Sequence, residues 1–121
     1  MENNKWIQYK IDARERLKAF CIKILKLSER FPKTTRANVI NYQLSKSGTS
    51  VYAKYRAALR GRSKAEFLNI LSITVEEANE TEMWIDLCIA SGIFNDDFIN
   101  ELHTESLELL KILSNMRKNV T

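Results

Sequence analysis

Residues 47–67 read SGTSVYAKYRAALRGRSKAEF, and how this stretch divides decides the fold. Leading into it and through it, Ile40, Leu44, Ser47, Val51, Tyr55 and Leu59 recur in steps of three and four. That is the repeat of one face of an α-helix, and it runs straight across Gly48. The spacing predicts one helix over about residues 35–60. A glycine inside a helix costs about 1 kcal/mol against alanine. With Ser47, Thr49 and Ser50 beside it, Gly48 implies close approach of a neighbouring helix; the rival reading breaks the helix in two there. Gly61 reads as a left-handed cap on this helix. Ser63-Lys64-Ala65-Glu66 then reads as a capping box that opens the next one.

The same period extends to both sides. Ala13, Leu17, Phe20, Ile24, Leu27 and Phe31 form one stripe, and Pro32 stops it because the residue before a proline is pushed out of the helical region. Thr34 or Thr35 is placed to cap the second helix. Beyond the corner, Phe67, Ile70, Leu71, Thr74, Ala78, Thr81, Ile85 and Cys88 form a third stripe that ends at Gly92. Asn95 or Asp96 caps a fourth, which carries Phe98, Leu102, Leu109, Leu113 and Met116, with Asp97 suited to its first turn. The helices are expected at about 5–31, 35–60, 63–91 and 96–118. Connections this short make successive helices antiparallel neighbours. The expectation is all-α: an up-down-up-down antiparallel four-helix bundle, one domain over 1–121. One proline and three glycines in 121 residues agree with a few long helices.

Composition sets the class. At 45% hydrophobic and 28% charged residues the chain reads as globular rather than disordered. No window approaches about 18 uninterrupted apolar residues, and MENNKWIQYK lacks the apolar segment of a signal peptide, so a cytoplasmic protein is expected. Cys21 and Cys88 fit no CxxC pattern and are expected as buried thiols; bundle geometry sets them about 10 Å apart along the axis, too far to bridge. His103 is the only histidine, so no metal-ligand set and no cofactor is expected. No glycine-rich phosphate loop and no nucleophile motif occurs, and the carboxylates of residues 76–82 come without a Glu-x-x-His partner, so no enzyme is expected. Trp84 is expected at a helix or subunit boundary.

The net charge of +4 hides a division. Residues 1–62 hold 15 Lys/Arg against 4 Asp/Glu, a balance of +11; residues 63–121 hold 4 against 11, a balance of −7. Three readings stay open. Some charges can pair within the bundle, since facing residues of the second and third helices have numbers summing to about 123 around the corner at Gly61, which sets Lys46 opposite Glu77 and Arg36 opposite Asp86 or Leu87. The basic hairpin of one subunit can meet the acidic hairpin of the next. Or the basic surface can bind phosphates. Its candidate residues are Lys46, Lys54, Arg56, Arg60, Arg62 and Lys64. Tyr52 is a candidate for an exposed stacking face or a subunit contact, whereas Tyr55 lies on the apolar stripe and belongs to the core.

Phe31-Pro32-Lys33, Gln43-Leu44, the stretch at 47–67 and the run from Glu76 through Trp84 resemble, in order and spacing, the four-helix bundle proteins also called 23S rRNA intervening-sequence proteins. The likeness spans about residues 5–118. Members are bacterial proteins encoded within intervening sequences of 23S rRNA genes or elsewhere in genomes. The accessory protein of diversity-generating retroelements is similar, and it forms a pentameric barrel, binds nucleic acid and associates with a reverse transcriptase. The resemblance therefore implies a ring-forming homo-oligomer such as a pentamer, with RNA, DNA or a protein such as a reverse transcriptase as partner; it does not imply catalysis. Tyr52 and Lys54 stand where the family commonly has Gly and Asn, and Ala57 where it often has Glu, so a site built on that Asn or Glu does not transfer. Arg56, Arg60, Arg62 and Ser63 fit the pattern. The leading expectation is a non-catalytic oligomeric bundle binding RNA or DNA through its first hairpin. The alternative is an interaction subunit whose charged halves drive assembly without touching nucleic acid.

Overall fold

The computed structural model describes residues 3–120, so Met1, Glu2 and Thr121 of the expected domain span lie outside the described residues. Four helices follow one another: α1 Asn4–Ser28, α2 Thr35–Leu59, α3 Lys64–Ala90 and α4 Asp97–Val120. They form an all-α four-helix bundle in which each helix packs on the next and α4 returns to α1, with no close backbone approach across either diagonal among the described residues. The α2–α3 contact is the most extensive and the α1–α4 contact the slightest. No helix among the described residues is long and apolar enough to cross a membrane.

The predicted caps place three of the starts. Thr34 Oγ1 accepts from the Ala37 N–H at 3.2 Å, Ser63 Oγ from the Glu66 N–H at 3.1 Å and Asp96 Oδ1 from the Ile99 N–H at 3.1 Å. Each oxygen satisfies one of the N–H groups that a helix start leaves without an internal partner. Asn3 does the same for α1 through the Trp6 N–H at 2.8 Å.

Two ends differ from expectation. α1 stops at Ser28 rather than 31. The Glu29 and Arg30 N–H groups bond back to Lys26 and Leu27 carbonyls in a tighter turn, and Asn41 Nδ2 of α2 donates to the Ser28 carbonyl at 3.0 Å. Leaving the helix early lets Phe31 meet Phe94 edge to face, with ring centroids 4.9 Å apart. Nor is Gly61 a left-handed cap. The one positive-φ residue among those described is Gly92, at φ 77°. There the Ile93 N–H reaches the Cys88 carbonyl and the Gly92 N–H the Ile89 carbonyl, a Schellman ending to α3. Gly61 is small for another reason: a Cβ on it would stand 3.0 Å from the Phe67 nitrogen and 3.1 Å from the Ala58 carbonyl oxygen.

The predicted stripes become the core. Leu17, Ile24, Leu27, Leu44, Tyr55, Leu71, Ile85, Leu113 and Met116 are all essentially inaccessible. Tyr55 is buried whole, and its hydroxyl donates to the Lys10 carbonyl at 2.7 Å, so the one polar atom it carries inward is satisfied. Burial raises that phenol well above its ordinary pKa. Cys88 is buried as expected, whereas Cys21 is only half-buried; both are free.

α2 is continuous through Gly48, and the neighbour inferred from the sequence is Ile24 of α1. A Cβ on Gly48 would lie 2.5 Å from Ile24 Cδ1 and 3.2 Å from its Cγ2. Alanine there would gain roughly 1 kcal/mol of helix propensity and lose about 1–3 kcal/mol by overpacking. Ile24→Val removes the methyl in the way. In urea denaturation, Gly48→Ala is therefore expected to be neutral or destabilising in the wild-type chain and stabilising in the Ile24→Val background. A coupling of about 1 kcal/mol or more between the two sites is expected; additive effects would show that Ile24 does not set the size allowed at residue 48.

Candidate functional site

From Arg30 to Ala65 the chain holds nine Lys/Arg and no Asp or Glu. All six candidate cations of this stretch, Lys46, Lys54, Arg56, Arg60, Arg62 and Lys64, are exposed. Their positions differ. At about 100° per residue, Lys46, Arg56 and Arg60 fall within about 80° of one another on the side of α2 opposite its buried row. Lys54 lies on a separate flank. Arg62 and Lys64 stand beyond the helix, in the corner and the first turn of α3. The fold thus brings together a three-residue face and a two-residue corner, and leaves Lys54 apart from both.

The pairing proposed inside the bundle is not made. Among the described residues neither Lys46–Glu77 nor Arg36–Asp86 forms an ion pair, and none of the six candidates does. The numbering rule gives depth along the bundle but not facing, and Lys46 points roughly 150° away from the centre of the buried row of α2. The basic hairpin is neutralised elsewhere. Arg16 of α1 donates to Glu105 at 2.7 Å and lies 3.2 Å from Glu108, both on α4. Arg30 pairs with Asp96 and its guanidinium lies over Phe94 and Phe98, 5.1 and 5.5 Å from the ring centroids. These pairs had no counterpart in the sequence reading, because no connection joins α1 to α4 and fixes their register.

Tyr52 is less open than expected: it is half-buried against the core, with the Arg56 guanidinium 5.7 Å above its ring. Trp84 is likewise half-buried against the core, and its indole N–H donates to Glu80 at 3.3 Å. Neither thiol is activated. Burial pushes Cys88 up to about 11 and Cys21 above its ordinary value, the opposite of what a nucleophile needs.

One constellation went unread in the sequence. Glu82 and Asp86, a turn apart on α3, meet His103 of α4, with one potential ligand atom from each all within 4.8 Å of one another. Among the described residues this is the group that could hold a metal ion. His103 Nε2 lies 2.8 Å from Glu82 Oε2, so the pair is complete as a hydrogen bond across the two helices without an ion. Counting outward from the turn at Gly92 brings 82 and 103 to similar depth, but a single histidine offers no local ligand spacing in the sequence.

Comparison with known proteins bears on the whole chain. The family model described as 23S rRNA-intervening sequence protein matches residues 9–115. A solved structure of a protein of unknown function from the S23 ribosomal protein family of Bacteroides thetaiotaomicron VPI-5482 is 29% identical. It superposes with a TM-score of 0.83, over 91% of this chain and 98% of that one. No protein of curated description matches.

The Arg30–Asp96 pair has a pH signature. The hydrogen bond from Arg30, followed by that from the Ile99 N–H, holds the Asp96 carboxyl below its ordinary value of 3.8. A carboxyl depressed on folding stabilises the fold fully above its unfolded value, and that contribution is lost as pH falls through the folded one. Asp96→Asn keeps an acceptor for the Ile99 N–H and removes the charge. Its urea midpoint is expected below that of the wild type at neutral pH, with the gap closing as pH drops below 3.8. A gap of constant size down to the acid transition would show that the pair does not contribute.

Proposed function

The chain belongs to the 23S rRNA-intervening sequence protein family, and from that premise we propose that it is a cytoplasmic, non-catalytic, oligomeric bundle that binds RNA or DNA electrostatically. The surface proposed is the outer face of α2 with the corner at its end. One observation carries the reading: Arg16 of α1 and Arg30 just beyond it are matched by Glu105, Glu108 and Asp96, while Lys46, Lys54, Arg56, Arg60, Arg62 and Lys64, six cations on one helix and the corner at its end, have no acidic partner among the described residues. Unpaired cations in one region add nothing to stability and create a positive potential that attracts a polyanion and releases its counterions. The family is named for an intervening sequence of rRNA and the solved neighbour for a ribosomal protein family, which makes RNA the first polymer to test.

The reading as an interaction subunit also has an observation in its favour. Leu25 and Tyr42, 48% and 64% exposed, border one shallow groove along α1 and α2, next to Lys46. A ring of copies, such as a pentamer, or a protein partner such as a reverse transcriptase would cover such a groove.

The two readings separate in one pair of measurements. Fluorescence anisotropy with a labelled structured RNA at rising salt is expected to give a linear loss of log affinity with log salt. Four to six phosphate contacts correspond to a slope of about −3 to −5. Reversing Arg56, Arg60 and Arg62 to Glu should abolish binding at moderate salt. If light scattering shows the assembly unchanged by those reversals, the cations serve the nucleic acid; if it dissociates, they serve the interface. Absence of binding at low salt, or a flat salt dependence, would sink the nucleic-acid reading.

A further inference from the structure

We propose that the cleft at the corner end of the bundle is a binding site for a nucleoside phosphate, whether free or at the end of a strand. The inference rests on the nucleic-acid reading and names a subsite of the same basic surface. The cleft encloses about 760 Å³ where α1 begins, α2 turns into α3 and α4 ends. That is within the usual range of about 300–1,000 Å³ for small-molecule sites.

Its lining has the chemistry of that ligand class. Trp6 and Phe67 supply aromatic faces, Ala58 and Leu59 an apolar floor, and Lys10, Arg62 and Lys64 three positive charges. No carboxylate is among the described lining residues. By contrast, the groove along α1 and α4 sets Arg16 and Lys23 among Asp97, Glu101 and Glu105. The corner cleft therefore favours an anion, and one with a flat apolar part. The Lys10 ammonium lies 5.5 Å from the Trp6 ring centroid and 5.7 Å from that of Phe67, bridging the two rings. Stacking on Trp6 or Phe67 is open to any nucleobase, since every base has a π-face.

The phosphate has its own place. Arg62 and Lys64 flank the start of α3, where the helix dipole is positive. Ser63 Oγ takes the Glu66 N–H. The N–H groups of Lys64 and Ala65 have no acceptor among the described residues. They are the groups with which a helix start holds phosphate oxygens. Gly61 keeps the corner tight against the Phe67 backbone, and Lys64 and Phe67 both line the cleft. The two cations of the corner, separate from the three-residue face of α2, thereby acquire a distinct role.

The chain has two tryptophans, and only Trp6 lines the cleft, so the pair of indole N–H signals in a proton–nitrogen NMR spectrum contains its own control. Trp6→Phe assigns them. Titrations would use AMP, adenosine, inorganic phosphate, a linear 5′-phosphorylated RNA and the same RNA circularised. The Trp6 signal is expected to move with AMP and with the linear RNA while that of Trp84 stays. Adenosine or phosphate alone is expected to bind at least roughly tenfold more weakly, each lacking about 1.4 kcal/mol or more of the joint recognition. Movement with AMP but not the linear RNA would assign the site to free nucleotides, and the reverse to strand ends; either supports it. Arg62→Ser with Lys64→Ser, both on exposed positions and checked by circular dichroism, should remove the response. No Trp6 response to AMP or to linear RNA, or one that survives the double substitution, overturns the proposal. The circular RNA keeps the two readings apart. If it binds by anisotropy without moving Trp6, the basic surface stands whatever the cleft does; if it fails to bind at low salt, that surface falls by itself.

Discussion

The contact on which the arrangement depends is the seating of Ile24 in the space that a side chain at residue 48 would occupy. It fixes how near α1 comes to α2, and α2 is built to allow it. Ser47 and Thr49 beside the glycine return their hydroxyls to their own helix, to the Leu44 and Ser45 carbonyls. The small-residue segment therefore brings no unsatisfied polar atom to the interface. With α1 held close, Tyr55 two turns further along α2 reaches the Lys10 carbonyl. One end of α1 is tied by that hydrogen bond and the other by Asn41 on the Ser28 carbonyl. These two ties set the register of α1 against α2, and with it the side of α1 left to face α4.

That register decides which charges are matched. Arg16 and Arg30 come out against Glu105, Glu108 and Asp96, whereas Lys46, Arg56 and Arg60 lie on the side of α2 opposite its buried row. Exposed pairs of this kind contribute about 0–1 kcal/mol each, so the bundle does not stand or fall on them. Their importance is in what they leave over. The +11 of the first hairpin overstates its surface field, because Arg16 and Arg30 are matched at short range by Glu105, Glu108 and Asp96, whereas the stretch from Lys46 to Lys64 has no such match.

Much of this was legible in the sequence because helix period and cap chemistry are local. Ser63 three residues before Glu66, Thr34 before Ala37 and Asp96 before Ile99 each name a helix start, and the core rows fell where steps of three and four put them. Endings were less legible. Gly61 and Gly92 look alike as letters, yet one is required by crowding against Phe67 and the other by a left-handed backbone. The Lys46–Glu77 pair, one of the open readings, is not made because depth along antiparallel helices can be counted across a short turn, while the direction a side chain faces depends on helix rotation, set by packing. The cleft had no local signature at all. Trp6, Lys10 and Phe67 belong to two helices joined only through a third, and become neighbours when the bundle closes.

The charge pattern also limits how copies of the chain can meet. A two-fold contact places a surface against itself, and the stretch from Arg30 to Ala65, without a single carboxylate, would oppose cation to cation. Burying such like charges carries a desolvation cost that no partner offsets. A contact through α2 must then be with something different: the carboxylate-bearing α3–α4 surface of another copy, head to tail, or an anionic polymer. Head-to-tail contacts close into rings or run on as filaments. A ring made this way would cover the three-residue face of Lys46, Arg56 and Arg60. A ring made through the groove of Leu25 and Tyr42, which Lys46 also borders, would instead leave Arg56, Arg60 and the corner open, and repeat them around its rim. Only the second arrangement multiplies phosphate contacts with the number of subunits, so assembly and nucleic-acid binding reinforce each other in that geometry and compete in the first.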